Sequence, residues 1–438
     1  MFAATRLSLG ITTSRATVLN RSVSTTLKLS TYISSKSTSQ VNHTGSTANP
    51  TSASAHDMTV THWSPNFAVE KNLNRFATLP EKFMAKFTKL SPNLKKQASL
   101  QSIGTSFETL MFRRSTAELI DLVSNEGIKE VCSTAVIVDG NRGTGKSSAL
   151  IQTASYFHSK DWIIIPVLRL SEWTSGIEPY EISASNDTYY QPALTTKFLQ
   201  LLLDWNEKAL SKILVADESN KSVADLARSA ISMDAVSSFA ALEMVIKSIF
   251  TEKNRKPVLI AMDQINALYR KTAYFDKTSQ PLNADKFAMA ALIQKIFSEL
   301  GQKNTVVLAA VDYTESLVGS HYLKHLLKKI EPVNKTAEVP LVQPIDVDLE
   351  ARDEFGVILP LSLNPTHSDE FSKHFKLHPK HLTKFEMPVY SLSEISDVLD
   401  FYHSHNVYHG ILTETEAARR WMLTQGNPTE LLKSCTTL

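Results

Sequence analysis

The run Gly140-Asn141-Arg142-Gly143-Thr144-Gly145-Lys146-Ser147 carries every fixed position of a Walker A phosphate loop, G-x-x-x-x-G-K-S. That pattern has one structural setting, an apolar strand, a glycine turn and a helix, and it commits the chain to an α/β core. The strand is supplied by Ala135-Val136-Ile137-Val138, and a helix is expected to start at Lys146. Glycine accepts positive φ, so Gly140, Gly143 and Gly145 allow the backbone to curl with its N–H groups facing inward. On this pattern Thr144 and Ser148 flank the site, Lys146 reaches the β/γ-phosphates and the Ser147 hydroxyl ligates Mg²⁺. The alternative is a glycine-rich turn that merely joins a strand to a helix.

A second apolar run, Pro257-Val258-Leu259-Ile260-Ala261-Met262, delivers Asp263 at its carboxyl end. This is the Walker B arrangement, in which the carboxylate helps to hold Mg²⁺. Briskly hydrolysing enzymes of this kind follow the Asp with a Glu that activates water. Here Gln264 follows, which can orient water but cannot take its proton, so slow or absent hydrolysis is expected. After the apolar stretch Thr305–Val311, either Asp312 or Thr314 is a candidate polar group near the γ-phosphate, or the segment is a simple polar loop.

Apolar runs alternate with helical spacing between these landmarks. Trp162–Leu170 reads as a central strand, with Pro166 marking a bulge or the strand's end. Helices are expected at 113–123, 194–203, in pieces over 224–250, and at 287–300. Alternation of this sort predicts a parallel sheet covered on both faces, of the extended phosphate-loop ATPase type. Lys146 and Asp263 lie 117 residues apart, wide for the fold, and the excess at 171–245 reads as an elaborated layer. Its aromatics (Trp173, Tyr180, Tyr189, Tyr190) suggest a partner-binding surface. Of the paired arginines Arg113 and Arg114, a place near the nucleotide is conceivable, but a surface position is favoured.

The C-terminal part has Ser391 and Glu394 in capping-box spacing before Ile395, Val398, Leu399 and Tyr402. A helix over 414–423 leads to Gly426 as its stop, with Pro428 beyond, and a small helical lid or winged-helix domain is expected. The chain thus divides into a leader (1–56), an N-terminal extension (57–110), a phosphate-loop domain (111–340) and the C-terminal domain (341–438). In the extension, Lys82, Lys86 and Lys89 share a helical face, either solvated or set against phosphate backbone. Lys373, Lys376, Lys380 and Lys384 interleave with His374, His378 and His381, which suits a loop facing RNA or protein better than zinc.

The first acidic residue is Asp57, and before it stand only Arg6, Arg15, Arg21, Lys28 and Lys36 among many Ser and Thr. That composition is a mitochondrial transit leader. The chain carries 46 basic against 44 acidic side chains, and without those five the balance is 41 to 44. Bulk charge therefore gives no argument for nucleic acid, and RNA contact would rest on local patches. Cys132 and Cys435 make neither a disulfide framework nor a zinc site. No stretch after the leader is long and apolar enough for membrane insertion.

Taken together, the leader, Gly140–Ser147, the run Asp263-Gln264-Ile265-Asn266-Ala267-Leu268 and the C-terminal Gly426-Asn427-Pro428-Thr429-Glu430-Leu431 resemble mitochondrial small-subunit ribosomal proteins of the death-associated protein three family. The resemblance covers roughly Phe112 to the C terminus, and Gly145, Lys146, Ser147 and Asp263 carry over. It implies a structural protein of the small-subunit head in the mitochondrial matrix, binding GTP/GDP or ATP with Mg²⁺. Its implied partners are small-subunit ribosomal proteins and rRNA, with a contact near the intersubunit side. The guanine-reading Asn-Lys-x-Asp motif is missing, since Asn334-Lys335-Thr336-Ala337 lacks the Asp, so the base stays open. The rival is a matrix ATPase or GTPase of signal-transducing or chaperone type that oligomerises on its nucleotide.

Overall fold

The structure, a computed structural model, describes residues 61–62, 69–79, 109–128, 135–182, 188–216, 218–252, 254–269, 271–298, 304–312, 323, 327–328, 330–334, 382–413 and 415–436. The leader, Lys82, Lys86 and Lys89 of the helix expected in the extension, Thr314 and the Lys/His stretch at 373–381 lie outside these residues.

Among the described residues the chain enters through β1 (Thr61–His62), β2 (Arg75–Thr78) and β3 (Thr109–Phe112), then helix α1 (Arg114–Ile128). The core follows as β4 (Ala135–Asp139), α2 (Lys146–Ser159), β5 (Ile163–Val167), helices α3 (Pro192–Leu210), α4 (Val223–Ala230) and α5 (Ala235–Thr251), β6 (Val258–Asp263), α6 (Ala288–Ser298), β7 (Thr305–Ala310) and β8 (Leu382–Glu386). Three helices close the chain: α7 (Leu392–Ser404), α8 (Glu416–Thr424) and α9 (Pro428–Thr436).

Five strands make one sheet in the order β8-β4-β7-β6-β5, every neighbouring pair parallel. Successive side chains of a strand alternate between faces, and here both faces are buried, which is why the runs are continuously apolar. Ala135, Ile137, Ile163, Ile165, Val258, Ile260, Val307 and Ala309 pack one face against Leu199 and Leu202 of α3, Leu226 of α4, Leu242 and Val245 of α5, and Ile293 of α6. Val136, Val138, Ile164, Leu259, Ala261, Val306, Leu308 and Phe385 pack the other against Leu119 and Ile120 of α1 and Leu150 and Ile151 of α2.

Three expectations change. The strand expected at 162–170 is five residues long and lies at the sheet's edge, not its centre. Pro166 has no N–H to give a second neighbour, which an edge position tolerates. The fifth strand, β8, comes from the range placed with the C-terminal domain, so the sheet recruits chain from beyond residue 340. The aromatics of the elaborated layer also point inward. Trp173 and Tyr190 are buried, and Tyr180, Tyr189, Tyr274 and Phe287 form one cluster of edge-on and tilted rings. They fill a core and leave little of the aromatic surface suggested for a partner.

Open sheet edges expose backbone groups that must be satisfied. Asparagines do this at both edges. Asn206 donates to Ile164 O (2.7 Å) and accepts from Ile164 N (2.8 Å) on β5. Asn334 donates to Glu386 O (2.7 Å) and accepts from Glu386 N (2.9 Å) on β8. Asn334, weighed above as part of a base-reading motif, is thus occupied with the sheet.

The closing helices build a third core from Tyr390, Ile395, Val398, Leu399, Phe401, Tyr402, Leu431 and Leu432. Phe76 of β2 and Met111 of β3 belong to it, and the Phe76 ring stacks on Phe401 at 3.6 Å between centroids. The N-terminal extension is therefore part of the C-terminal unit's packing.

Candidate functional site

Parallel strands end together, so the carboxyl ends of β4, β6 and β7 bring their loops to one edge of the sheet. The 140–145 loop follows β4, Asp263 ends β6, and Asp312 stands two residues past β7.

Between Gly140 and Thr144 every loop carbonyl has a donor. Lys146 Nζ donates to Gly140 O and Asn141 O, each at 2.7 Å. Asn427 Nδ2 donates to Arg142 O (2.7 Å), Thr429 Oγ1 to Gly143 O (3.2 Å) and Arg113 to Thr144 O (3.0 Å). Gly143 and Gly145 both have positive φ, +82° and +95°. A Cβ at Gly143 would stand 2.6 Å from Asn427 Oδ1, so glycine there permits the C-terminal segment's close approach. A Cβ at Gly145 would meet no atom within 4 Å, so there it is the positive φ alone that favours glycine.

Each expected residue has a place. Thr144 is buried, and its hydroxyl donates to Asn141 O (2.9 Å), closing the turn rather than facing the mouth. Ser148 lines the adjoining cleft with Thr116, Ala149, Tyr390 and Thr429. Lys146 opens α2 and is buried; desolvation lowers its pKa, opposed by the charges of Asp139, Asp312 and Asp263. Ser147 donates its hydroxyl to Asp263. Burial, with a smaller push from Asp312, lifts the Asp263 carboxyl to about 6 against the pull of Ser147, the Gln264 N–H and Lys146. A buried carboxylate in contact with a half-buried serine hydroxyl, beside a buried ammonium, is a donor set for Mg²⁺ and phosphate oxygens. The residues present fit that group.

Gln264 takes a left-handed φ of +64°. Its Oε1 accepts from Ser171 Oγ (2.5 Å) and its Nε2 donates to Asp312 Oδ2 (3.0 Å). The carboxamide thus ties together the segments after β5 and β7. Asn266 repeats the asparagine clamp of the edges, donating to Asp312 O (2.8 Å) and accepting from Asp312 N (3.0 Å). Of the two candidates near a terminal phosphate, Asp312 is the one that the described residues bring to the site.

Arg113 corrects the sequence reading. It is 5% exposed, pairs with Glu394 at 2.9 Å, and donates to Pro388 O (2.9 Å) and Val389 O (3.0 Å) besides Thr144 O. Its neighbour Arg114 is exposed, as favoured. Glu394 meanwhile completes the α7 capping box with Ser391. One buried ion pair therefore links the 140–145 loop to the start of the C-terminal helices. Asn427 does the same from the other end: its Oδ1 caps α9 by accepting from Thr429 N (3.0 Å) while its amide holds Arg142 O. Asp139 was also passed over; it accepts from Gly140 N (2.8 Å) and pairs with Lys384 (3.1 Å).

Residues 110–434 match the family described as mitochondrial ribosomal death-associated protein 3. A relative from Schizosaccharomyces pombe, named small ribosomal subunit protein mS29, is 23% identical over 84% of this chain and 72% of its own length. Proteins of the same name from Bos taurus and Neurospora crassa are 24% and 28% identical, over 48% and 24% of this chain and 55% and 22% of theirs.

Proposed function

The chain belongs to the mitochondrial ribosomal death-associated protein 3 family, and from that premise we propose that it is a structural protein of the mitochondrial small ribosomal subunit that holds a purine nucleotide with Mg²⁺ as part of its folded core. Its partners are then the ribosomal proteins and rRNA around it, with a contact near the intersubunit side, and its compartment is the matrix, which the acid-free leader before Asp57 suits. Among the described residues no helix is long and apolar enough to cross a membrane.

The nucleotide reading rests on one observation above all: the 140–145 loop, the buried Lys146 ammonium and the Ser147–Asp263 hydrogen bond stand together at the carboxyl end of the parallel sheet. The strand order also supports a phosphate-loop ATPase core of the extended type. In this role the Gly143–Gly145 backbone and Lys146 hold the phosphates, while Ser147 and Asp263 hold Mg²⁺, which would neutralise phosphate charge. Base choice is left between guanine and adenine.

Turnover is slow in this account. Gln264 stands where a general base would be needed, and both ends of its amide already bind protein groups. The test is sedimentation of mitochondrial extract after tagging the chain, with matrix translation followed on depletion. Co-sedimentation with the small subunit, and loss of translation, are expected. Recovery only as a free monomer or ring, with small subunits intact in its absence, would sink the proposal.

A further inference from the structure

Asp312 places a carboxylate at the phosphate end of the proposed site. It follows β7, the strand between β4 and β6, and so stands at the carboxyl end of the sheet, where the terminal phosphate of the proposed nucleotide would lie. A neutral or cationic side chain there would favour an extra phosphate. Here the side chain is an acid, and the structure goes to some length to hold it. Asn266 grips its backbone N–H and C=O, at 3.0 Å and 2.8 Å, and Gln264 Nε2 donates to its Oδ2 at 3.0 Å. Val311, just before it, donates its N–H to Val138 O of β4 at 3.0 Å, which seats the segment beside the loop's own strand. From there the carboxylate acts electrostatically on both Lys146 and Asp263.

We infer that Asp312 sets the phosphate count of the site, so that it takes a nucleoside diphosphate with Mg²⁺ in preference to the triphosphate of the same base. The inference rests on the nucleotide-binding reading above. Each added phosphate brings negative charge toward the end of the loop. There a fixed carboxylate repels it, with Asp263 already supplying the anionic ligand that the metal needs. A diphosphate stops short of this group. Since Gln264 cannot act as a base, the preference also gives the site a resting ligand it can keep without turnover.

The experiment measures affinities of GDP, GTP, ADP and ATP for the purified full-length chain at fixed excess Mg²⁺, for wild type and for Asp312→Asn. Asn retains an oxygen for Gln264 Nε2 while removing the charge. The expected result for wild type is a diphosphate bound at least about tenfold more tightly than its triphosphate, about 1.4 kcal/mol. In Asp312→Asn the gap should close through tighter triphosphate binding, with diphosphate affinity little changed. Wild type that binds the triphosphate equally well or better overturns the inference while leaving nucleotide binding intact. A variant that loses diphosphate affinity as Asp263→Asn does would make Asp312 a metal ligand, and overturns it too. Wild type that binds none of the four defeats the underlying site itself. Should the variant not fold, as judged by its thermal transition, the wild-type ratio decides alone.

Discussion

Asp263 is a buried acid whose carboxyl is pushed up to about 6 from 3.8, chiefly by desolvation. The folded state therefore holds its proton more tightly than the unfolded chain does. The stability this contributes is present below about pH 4 and is lost as pH rises through about 6. At pH 7.5 the nucleotide-free protein then carries a burden on the order of 3 kcal/mol, which a bound cation would relieve. We expect Asp263→Asn to raise the melting temperature of the nucleotide-free chain by a few degrees at pH 7.5, with the difference shrinking toward pH 5. The same variant should lose whatever stabilisation the proposed Mg²⁺ and nucleotide add to the wild type. Thermal unfolding at the two pH values checks both, and a variant less stable than wild type at each would contradict the account. Gln264 gives a second test at this scale. From sequence alone, Gln264→Glu supplies a base and could accelerate hydrolysis by about 10²-fold. The structure changes that expectation, because a Glu would lose the bond to Asp312 and set a third carboxylate beside Asp263 and Asp312. Single-turnover assays should find no acceleration, with wild type far below the roughly 10 s⁻¹ of ordinary enzymes, and the melting temperature should fall.

At the scale of elements, the helices after β8 act as a brace for the 140–145 loop. Arg113 and Glu394 are 281 positions apart in sequence and both buried. Removing one partner of such a pair leaves a buried charge, so Glu394→Gln should cost about 3–5 kcal/mol if no rearrangement relieves Arg113. Asn427→Ala should cost about 1 kcal/mol as a lost helix cap and weaken nucleotide binding as well, since the same side chain holds Arg142 O. Chemical denaturation beside nucleotide titration separates the two effects; an Asn427→Ala chain that binds as wild type would show the brace to be irrelevant to the loop. The same elements mark what the sequence could tell. The glycine turn at 140–145, β4, β6, β7 and the α7 capping box were legible because each is local, an apolar run or a fixed spacing. β8 was not, since Leu-Thr-Lys-Phe-Glu is short and half polar, and only its parallel pairing with β4 makes it a strand. Arg113 was misread because a charged side chain before a helix normally faces solvent, and its acceptors come from the chain after β8. Nothing in local spacing announces the asparagine clamps either, since each joins residues from 42 to 52 positions apart.

At the scale of the molecule, three cores interlock. The sheet has one on each face, and the third combines the C-terminal helices with Phe76 and Met111 from the N-terminal strands. Neither the extension nor the C-terminal unit is then separable, and a chain beginning after β2 should melt lower than one beginning at residue 57. A nucleotide bound where these parts meet would stabilise the whole, by about 2.7 kcal/mol at 100 times its dissociation constant. The central claim is that this stabilisation is what the ribosomal protein uses the site for. It is tested most directly by purifying mitochondrial small subunits from cells carrying the wild-type chain or Lys146→Ala, and measuring protein-bound nucleotide per subunit after denaturation. The account predicts one additional nucleotide per wild-type subunit relative to the variant, together with fewer subunits containing the Lys146→Ala chain. Small subunits carrying Lys146→Ala at wild-type abundance, with the same nucleotide content, would contradict it.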